Sequence, residues 1–151
     1  VLSNPAHRIG TVGMWNARIA AVNEGGIAPI AGAVLERWFT PAFRSEGNAE
    51  FAGCRTMLVR TPAEGYAATC AALRDTDYTS AAKAISVPTL CIVGDQDGST
   101  PPALVRELAG LVPGARFEEI AGAAHIPCIE QPRAYVELLR GFVASLPEAG
   151  A

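Results

Sequence analysis

The sequence predicts an α/β protein whose first half is all helical and whose second half alternates parallel strands with helices. Three observations predict it. Apolar residues recur at helical spacing from Thr11 to about Arg74, Thr89-Leu90-Cys91-Ile92-Val93-Gly94 is an unbroken apolar run of strand length, and strand and helix patterns alternate beyond it.

Taken in order, Val1-Leu2-Ser3 is a short apolar stretch closed by Asn4-Pro5, which reads as the end of a strand. Thr11 is an N-cap for a helix that runs to Gly25-Gly26, with Met14, Trp15, Ile19 and Val22 spaced to share one face. A second helix runs from Pro29 to Phe39, with Ile30, Val34, Leu35 and Trp38 at the same recurrence. Thr40-Pro41 offers a cap and a first turn, and two further helices span Asn48 to Arg60 and Thr61 to Arg74. The last opens on Thr61-Pro62-Ala63-Glu64, a capping-box pattern with proline at the first helical position. After Val87-Pro88 the Thr89–Gly94 run lacks polar alternation, so it is a strand covered on both faces. Thr100-Pro101-Pro102 caps a helix through Leu104, Val105, Leu108 and Leu111 that Pro113-Gly114 stops. Arg116 to Ile120 is a weaker strand. A final helix runs from Pro132 to Leu146, with Tyr135, Val136, Leu139, Phe142 and Val143 on one side.

Composition sets the class. With 151 residues, Lys+Arg 12 against Asp+Glu 15, a net charge of −3 and 50% hydrophobic residues, the chain has the make-up of one globular domain. It lacks the basic excess that grips nucleic acid. Apolar runs such as Leu90 to Val93 fall far short of the roughly 20 residues of a membrane span. Val1 follows neither a Met nor a signal-like segment, and the opening strand is expected to begin upstream of it. Cys54, Cys70, Cys91 and Cys128 are widely spaced with no C-x-x-C pair, which suits reduced thiols in a cytoplasmic protein rather than a zinc site.

In open parallel sheets the reactive groups sit on loops leaving the carboxyl ends of the strands. Here these are Gly94-Asp95-Gln96-Asp97-Gly98-Ser99-Thr100 and Gly122-Ala123-Ala124-His125-Ile126-Pro127. A calcium loop is excluded, because Thr100 stands where such a loop needs Gly and its closing Glu is missing. Alone, an Asp-x-Asp-Gly loop is a turn and a loop histidine is a solvated side chain. Together, an acid and a histidine at the ends of neighbouring strands can meet, since strands lie about 4.8 Å apart. A carboxylate on Nδ1 then leaves Nε2 free to take a proton from a nucleophile. Nucleophile, acid, histidine is the α/β-hydrolase order, yet no Gly-x-Ser-x-Gly elbow occurs among the 151 residues. His7, the other histidine, is read as a surface residue.

The segments Met14-Trp15-Asn16, Glu36-Arg37-Trp38-Phe39-Thr40-Pro41, Gly65-Tyr66-Ala67-Ala68, Val87-Pro88-Thr89-Leu90, Gly94-Asp95-Gln96-Asp97 and Ala124-His125-Ile126-Pro127 resemble 3-oxoadipate enol-lactonases of the α/β-hydrolase superfamily. The resemblance runs from Ser3 to about Leu146 and corresponds to the carboxyl-terminal half of that family. It implies the last three parallel strands with flanking helices plus an all-helical cap: residues 1–10 as strand end and linker, 11–84 as cap, and 85–151 as core. It implies Asp97 as the triad acid in preference to Asp95, His125 as the base, and no metal or organic cofactor. The reaction implied is hydrolysis of a carboxylate-bearing enol-lactone to 3-oxoadipate. The partners implied are the small lactone and a second polypeptide carrying the serine and pairing along Val1-Leu2-Ser3. Trp15 and Trp38 are candidates for the substrate wall, against the plainer reading of tryptophan as core. Arg74 could meet a carboxylate, although Asp75 and Asp77 beside it favour a local ion pair. The alternatives are a hydrolase of another small ester or lactone, and a catalytically silent cap or assembly module.

Overall fold

A computed structural model describes residues 1–147. Strand β1 (Leu2–Ser3) is followed by helices α1 (Val12–Gly25), α2 (Ala28–Trp38), α3 (Ala49–Val59), α4 (Ala63–Asp75) and the short α5 (Thr79–Lys83). Then come β2 (Leu90–Gly94), α6 (Pro102–Leu111), β3 (Arg116–Ile120), the short α7 (Pro127–Glu130) and α8 (Pro132–Ala144).

The sheet is parallel, in the order β1-β2-β3, with Leu2 opposite Cys91 and Gly94 opposite Ile120. All five residues of β2 are buried, and their alternation divides them between two cores. Cys91 and Val93 face Val105, Leu108 and Val112 from α6 and its end, whereas Leu90 and Ile92 face Ile120 and Phe142. Helices therefore cover the sheet on both sides. This is the arrangement that a parallel sheet requires, because its crossovers place helices on its faces.

The helices α1 to α4 form the cap. Val22, Ile27, Val34, Leu35, Phe39, Cys54 and Leu58 make its core, and Ile126 and Ile129 from the far side of β3 pack into the same cluster. The cap thus shares apolar packing with the segment that carries His125.

Several local expectations are corrected. Thr11 does cap α1, accepting from the Met14 backbone N–H at 3.2 Å. The capping box at Thr61 does not form: Pro62 is the N-cap of α4, and the Thr61 hydroxyl donates back to the Met57 carbonyl oxygen of α3. Thr100 does not cap α6, because its hydroxyl turns toward Asn4 and Asp97. On α8 the core side is Tyr135, Leu138, Leu139 and Phe142, while Val136 and Val143 are exposed. The last two sit about 100° round the helix from the middle of the buried stripe, which is narrower than the sequence suggested. Helices α5 and α7 are too short for a periodicity reading to detect.

Gly94 ends β2 against the carbonyl groups of Ala123 and Ala124, and a Cβ there would run into both oxygens. Gly94→Ala is expected to cost about 1–3 kcal/mol by overpacking. The melting temperature should fall by roughly 2–4 °C for each kcal/mol at this chain length. Gly53→Ala, on an exposed face of α3 with open space at its Cβ, should leave it unchanged or raise it. Equal responses in a thermal melt would contradict the close approach.

Candidate active site

The three strands end side by side, and each delivers one part of a single polar cluster. Past β1 stands Asn4, a non-glycine residue at positive φ (50°) whose backbone N–H continues the sheet by donating to Ile92 at 2.7 Å. Asparagine is among the few residues that tolerate this conformation. Past β2 stands Asp97, and past β3 stands His125.

Asp97 is buried, with its side chain fully out of solvent. Its Oδ1 accepts from the backbone N–H groups of Ser99 (2.7 Å) and Thr100 (2.9 Å). Its Oδ2 accepts from the Asn4 side-chain amide (2.6 Å) and lies 2.8 Å from the Thr100 hydroxyl and 2.8 Å from His125 Nδ1. Burial pushes this carboxyl up. The hydrogen bond and charge of His125, the Asn4 amide and the Thr100 N–H outweigh that push and hold it below the ordinary carboxylate range. The carboxylate is therefore ionised at neutral pH and accepts from Nδ1, so the neutral imidazole carries its proton on Nδ1. Among the described residues Nε2 has no hydrogen-bond partner.

His125 is held from the other side by the cap. Its backbone N–H donates to the Trp38 carbonyl oxygen at 3.0 Å, and its ring stacks on that of Trp38 with centroids 6.3 Å apart. Glu130 braces the same loop: Oε2 accepts from the Ala124 N–H at 2.6 Å, and Oε1 accepts from the backbone N–H (2.9 Å) and hydroxyl (2.8 Å) of Thr40. Asp95 has a different task. Its Oδ1 accepts from the N–H groups of Gly122 (2.9 Å) and Ala123 (3.3 Å), tying the two strand-end loops together. Of the two carboxylates in the loop, only Asp97 touches the histidine.

A cavity of about 260 Å³ opens beside His125, with Trp15, Arg18, Arg37, Trp38 and Tyr66 in its wall. That is slightly below the roughly 300 Å³ at which drug-sized sites begin, and suits a single small ring. An apolar groove of about 420 Å³ continues from it past Trp38 and Tyr66 toward Ile126 and Ile129. Trp15 is buried, with its indole N–H donating to the Ile9 carbonyl oxygen at 2.6 Å, and Trp38 is half-buried. Both therefore belong to the packing and to the cavity wall. Arg74 is elsewhere: it grips Asp75 at 2.7 Å and Asn16 at 2.8 Å on the surface. Ser99 shares the cavity, but no hydrogen bond joins it to His125.

Sequence reading missed Asn4, Thr100, Glu130, Arg18 and Arg37. An asparagine directly after a strand, ahead of proline, was a usable sign of a special backbone position. Glu130 and Arg37 meet Thr40 and Gly98 across long stretches of sequence and left no local signal, and Thr100 read as a helix cap.

No family model matches the chain. Over 96% of its length it is 34% identical to 3-oxoadipate enol-lactonase 1 of Acinetobacter baylyi, covering 54% of that protein. It is 36% identical to 3-oxoadipate enol-lactonase 2 of the same organism, over 89% of the chain and 50% of the relative. The crystal structure of the enol-lactonase from Burkholderia xenovorans superposes with a TM-score of 0.89 at 36% identity, across 95% of this chain and 55% of that one. The chain thus spans about half the length of the relatives it matches.

Asp97→Asn is expected to lower the melting temperature at neutral pH, because an amide in that position meets the donors of Asn4 and Thr100. The carboxyl's folded pKa is depressed. Its stabilisation is therefore complete above the ordinary carboxylate value of about 3.9 and is lost as pH falls through the folded value. The gap between wild type and variant should narrow below about pH 4. A gap that stays constant down to acid unfolding would contradict an ionised, hydrogen-bonded Asp97.

Proposed function

We propose, from the premise that this chain has the carboxyl-terminal half of an α/β-hydrolase fold and is similar over nearly all its length to 3-oxoadipate enol-lactonases, that it supplies the acid and base of a lactone hydrolase. The observation that carries this reading is the 2.8 Å contact between Asp97 Oδ2 and His125 Nδ1, with Nε2 left free beside a cavity. A serine on polypeptide outside these 151 residues completes the site. That segment pairs with the edge of β1 that faces away from β2, where an open strand edge is a liability in a folded protein.

In the proposed reaction the serine hydroxyl gives its proton to His125 Nε2 while its oxygen attacks the ring carbonyl. Asp97 holds the imidazole in register and stabilises the imidazolium that forms. Collapse of the tetrahedral adduct breaks the ring C–O bond. The leaving enolate takes the proton from Nε2 and becomes a ketone. Water then loses a proton to Nε2 as it attacks the acyl-enzyme, the carboxylate product leaves, and the proton returns to the serine. The oxyanion donors come with the serine segment, where the nucleophile's own backbone contributes one of them. For the enol-lactone of 3-oxoadipate, the compound in the relatives' names, the product is 3-oxoadipate.

On its own the chain should resist labelling by a fluorophosphonate, because its base has no alcohol to activate. Joined to the amino-terminal segment of the A. baylyi enzyme, it should hydrolyse the enol-lactone in preference to simple aryl esters. In that hybrid, His125→Ala or Asp97→Asn should each lower kcat by about 10³-fold or more with folding intact. A loss under tenfold removes the roles assigned here, and a folded but inactive hybrid favours the silent-module reading.

A further inference from the structure

Arg18 lies on α1 and Arg37 near the end of α2, and both are half-buried in the cavity beside His125. Arg8, Arg74, Arg106 and Arg116 each stand within 4.0 Å of a carboxylate. Among the described residues no carboxylate stands that close to Arg18 or Arg37. Two guanidinium groups facing one cavity repel each other, and partial burial strips them of water that would screen the repulsion. Burial, and then the charge of Arg18, lower the pKa of Arg37, so the pair is held together at a cost.

Each arginine is fixed in place. The Arg18 guanidinium carbon sits 5.2 Å from the centre of the Trp15 ring, a cation–π contact that aims the fork. The Arg37 stem packs closely against Gly98, where a Cβ would lie 3.1–3.2 Å from Arg37 atoms, and its carbonyl oxygen accepts from the Gly98 N–H at 3.2 Å. The loop that carries Asp97 therefore also sets the position of Arg37. Tyr66 lines the same cavity within reach of both charges, and burial outweighs them to push its hydroxyl above the ordinary phenol value, which keeps the proton available for donation. The site offers planar donor forks, a hydroxyl donor and net positive charge, all of which match a carboxylate.

We propose that Arg18 and Arg37, with Tyr66, form a carboxylate clamp in this cavity that holds the acid end of a small organic acid while its reacting carbonyl faces His125 Nε2. This rests on the hydrolase reading for its orientation, although the clamp's binding can be measured without catalysis. The chain's two tryptophans, Trp15 and Trp38, both line the cavity, so entry of a ligand is read directly from tryptophan emission.

The test titrates the chain with adipate and, separately, with its neutral dimethyl ester. Adipate should change the emission saturably, and the diester should bind at least tenfold more weakly. Arg18→Gln and Arg37→Gln should each weaken adipate binding by tenfold or more without altering the diester, with circular dichroism confirming that each variant is folded. Arg37→Lys, which keeps the charge and the stem, should fall between. The clamp is overturned if wild type shows no adipate response, if acid and diester bind alike, or if either glutamine variant binds adipate as wild type does. Charge-selective binding through both arginines together with an inactive hybrid would support the clamp and sink the hydrolase reading. An active hybrid with no charge selectivity would do the reverse.

Discussion

The structure turns on one buried carboxylate. An ionised side chain removed from water is costly unless donors replace the water it loses. Asp97 is given such donors from all three strand ends: the Asn4 amide past β1, the Ser99 and Thr100 groups of its own loop past β2, and the His125 ring past β3. The cluster forms only if the strands lie parallel in the order β1-β2-β3 and end at the same level. The fold and the ionised Asp97 therefore require each other, and the imidazole is oriented as part of that arrangement.

A second set of contacts carries this order into the cap. Trp38 holds the His125 backbone and covers its ring, Glu130 joins the histidine loop to Thr40, and Arg37 touches Gly98 in the aspartate loop. Each joins a cap residue to a strand-end loop, so the cavity wall and the Asp97–His125 pair share their supports. Ile126 and Ile129 add apolar packing to the same seam. The cap is thus built into the site, and the residues lining the cavity are placed by the same loops that place Asp97 and His125.

Most of the fold was legible in the sequence because its signals are local. The continuous apolar run of β2, the helix-spaced apolar residues of α1 to α4, and the Gly and Pro stops depend on near neighbours. The readings that failed were also local, but tertiary contacts overrode them: Thr100 had the right place for a cap and was taken by Asn4 and Asp97 instead. Asp97 and His125 were legible as a pair because each ends a strand in the chain order of a known chemistry. Asn4 meets Asp97, Glu130 meets Thr40 and Arg37 meets Gly98 across separations of tens of residues, and a single sequence does not encode such meetings in any short pattern.

The central claim is that Asp97 fixes the tautomer of His125 with Nε2 bare toward the cavity. The most direct measurement is a long-range proton–nitrogen correlation spectrum of the ¹⁵N-histidine-labelled chain, at a pH where the rings are neutral and with His7 assigned by substitution. The account predicts a single His125 tautomer protonated at Nδ1 in wild type, and loss of that preference in Asp97→Asn. A wild-type ring protonated at Nε2, or one averaging freely between tautomers, would contradict it.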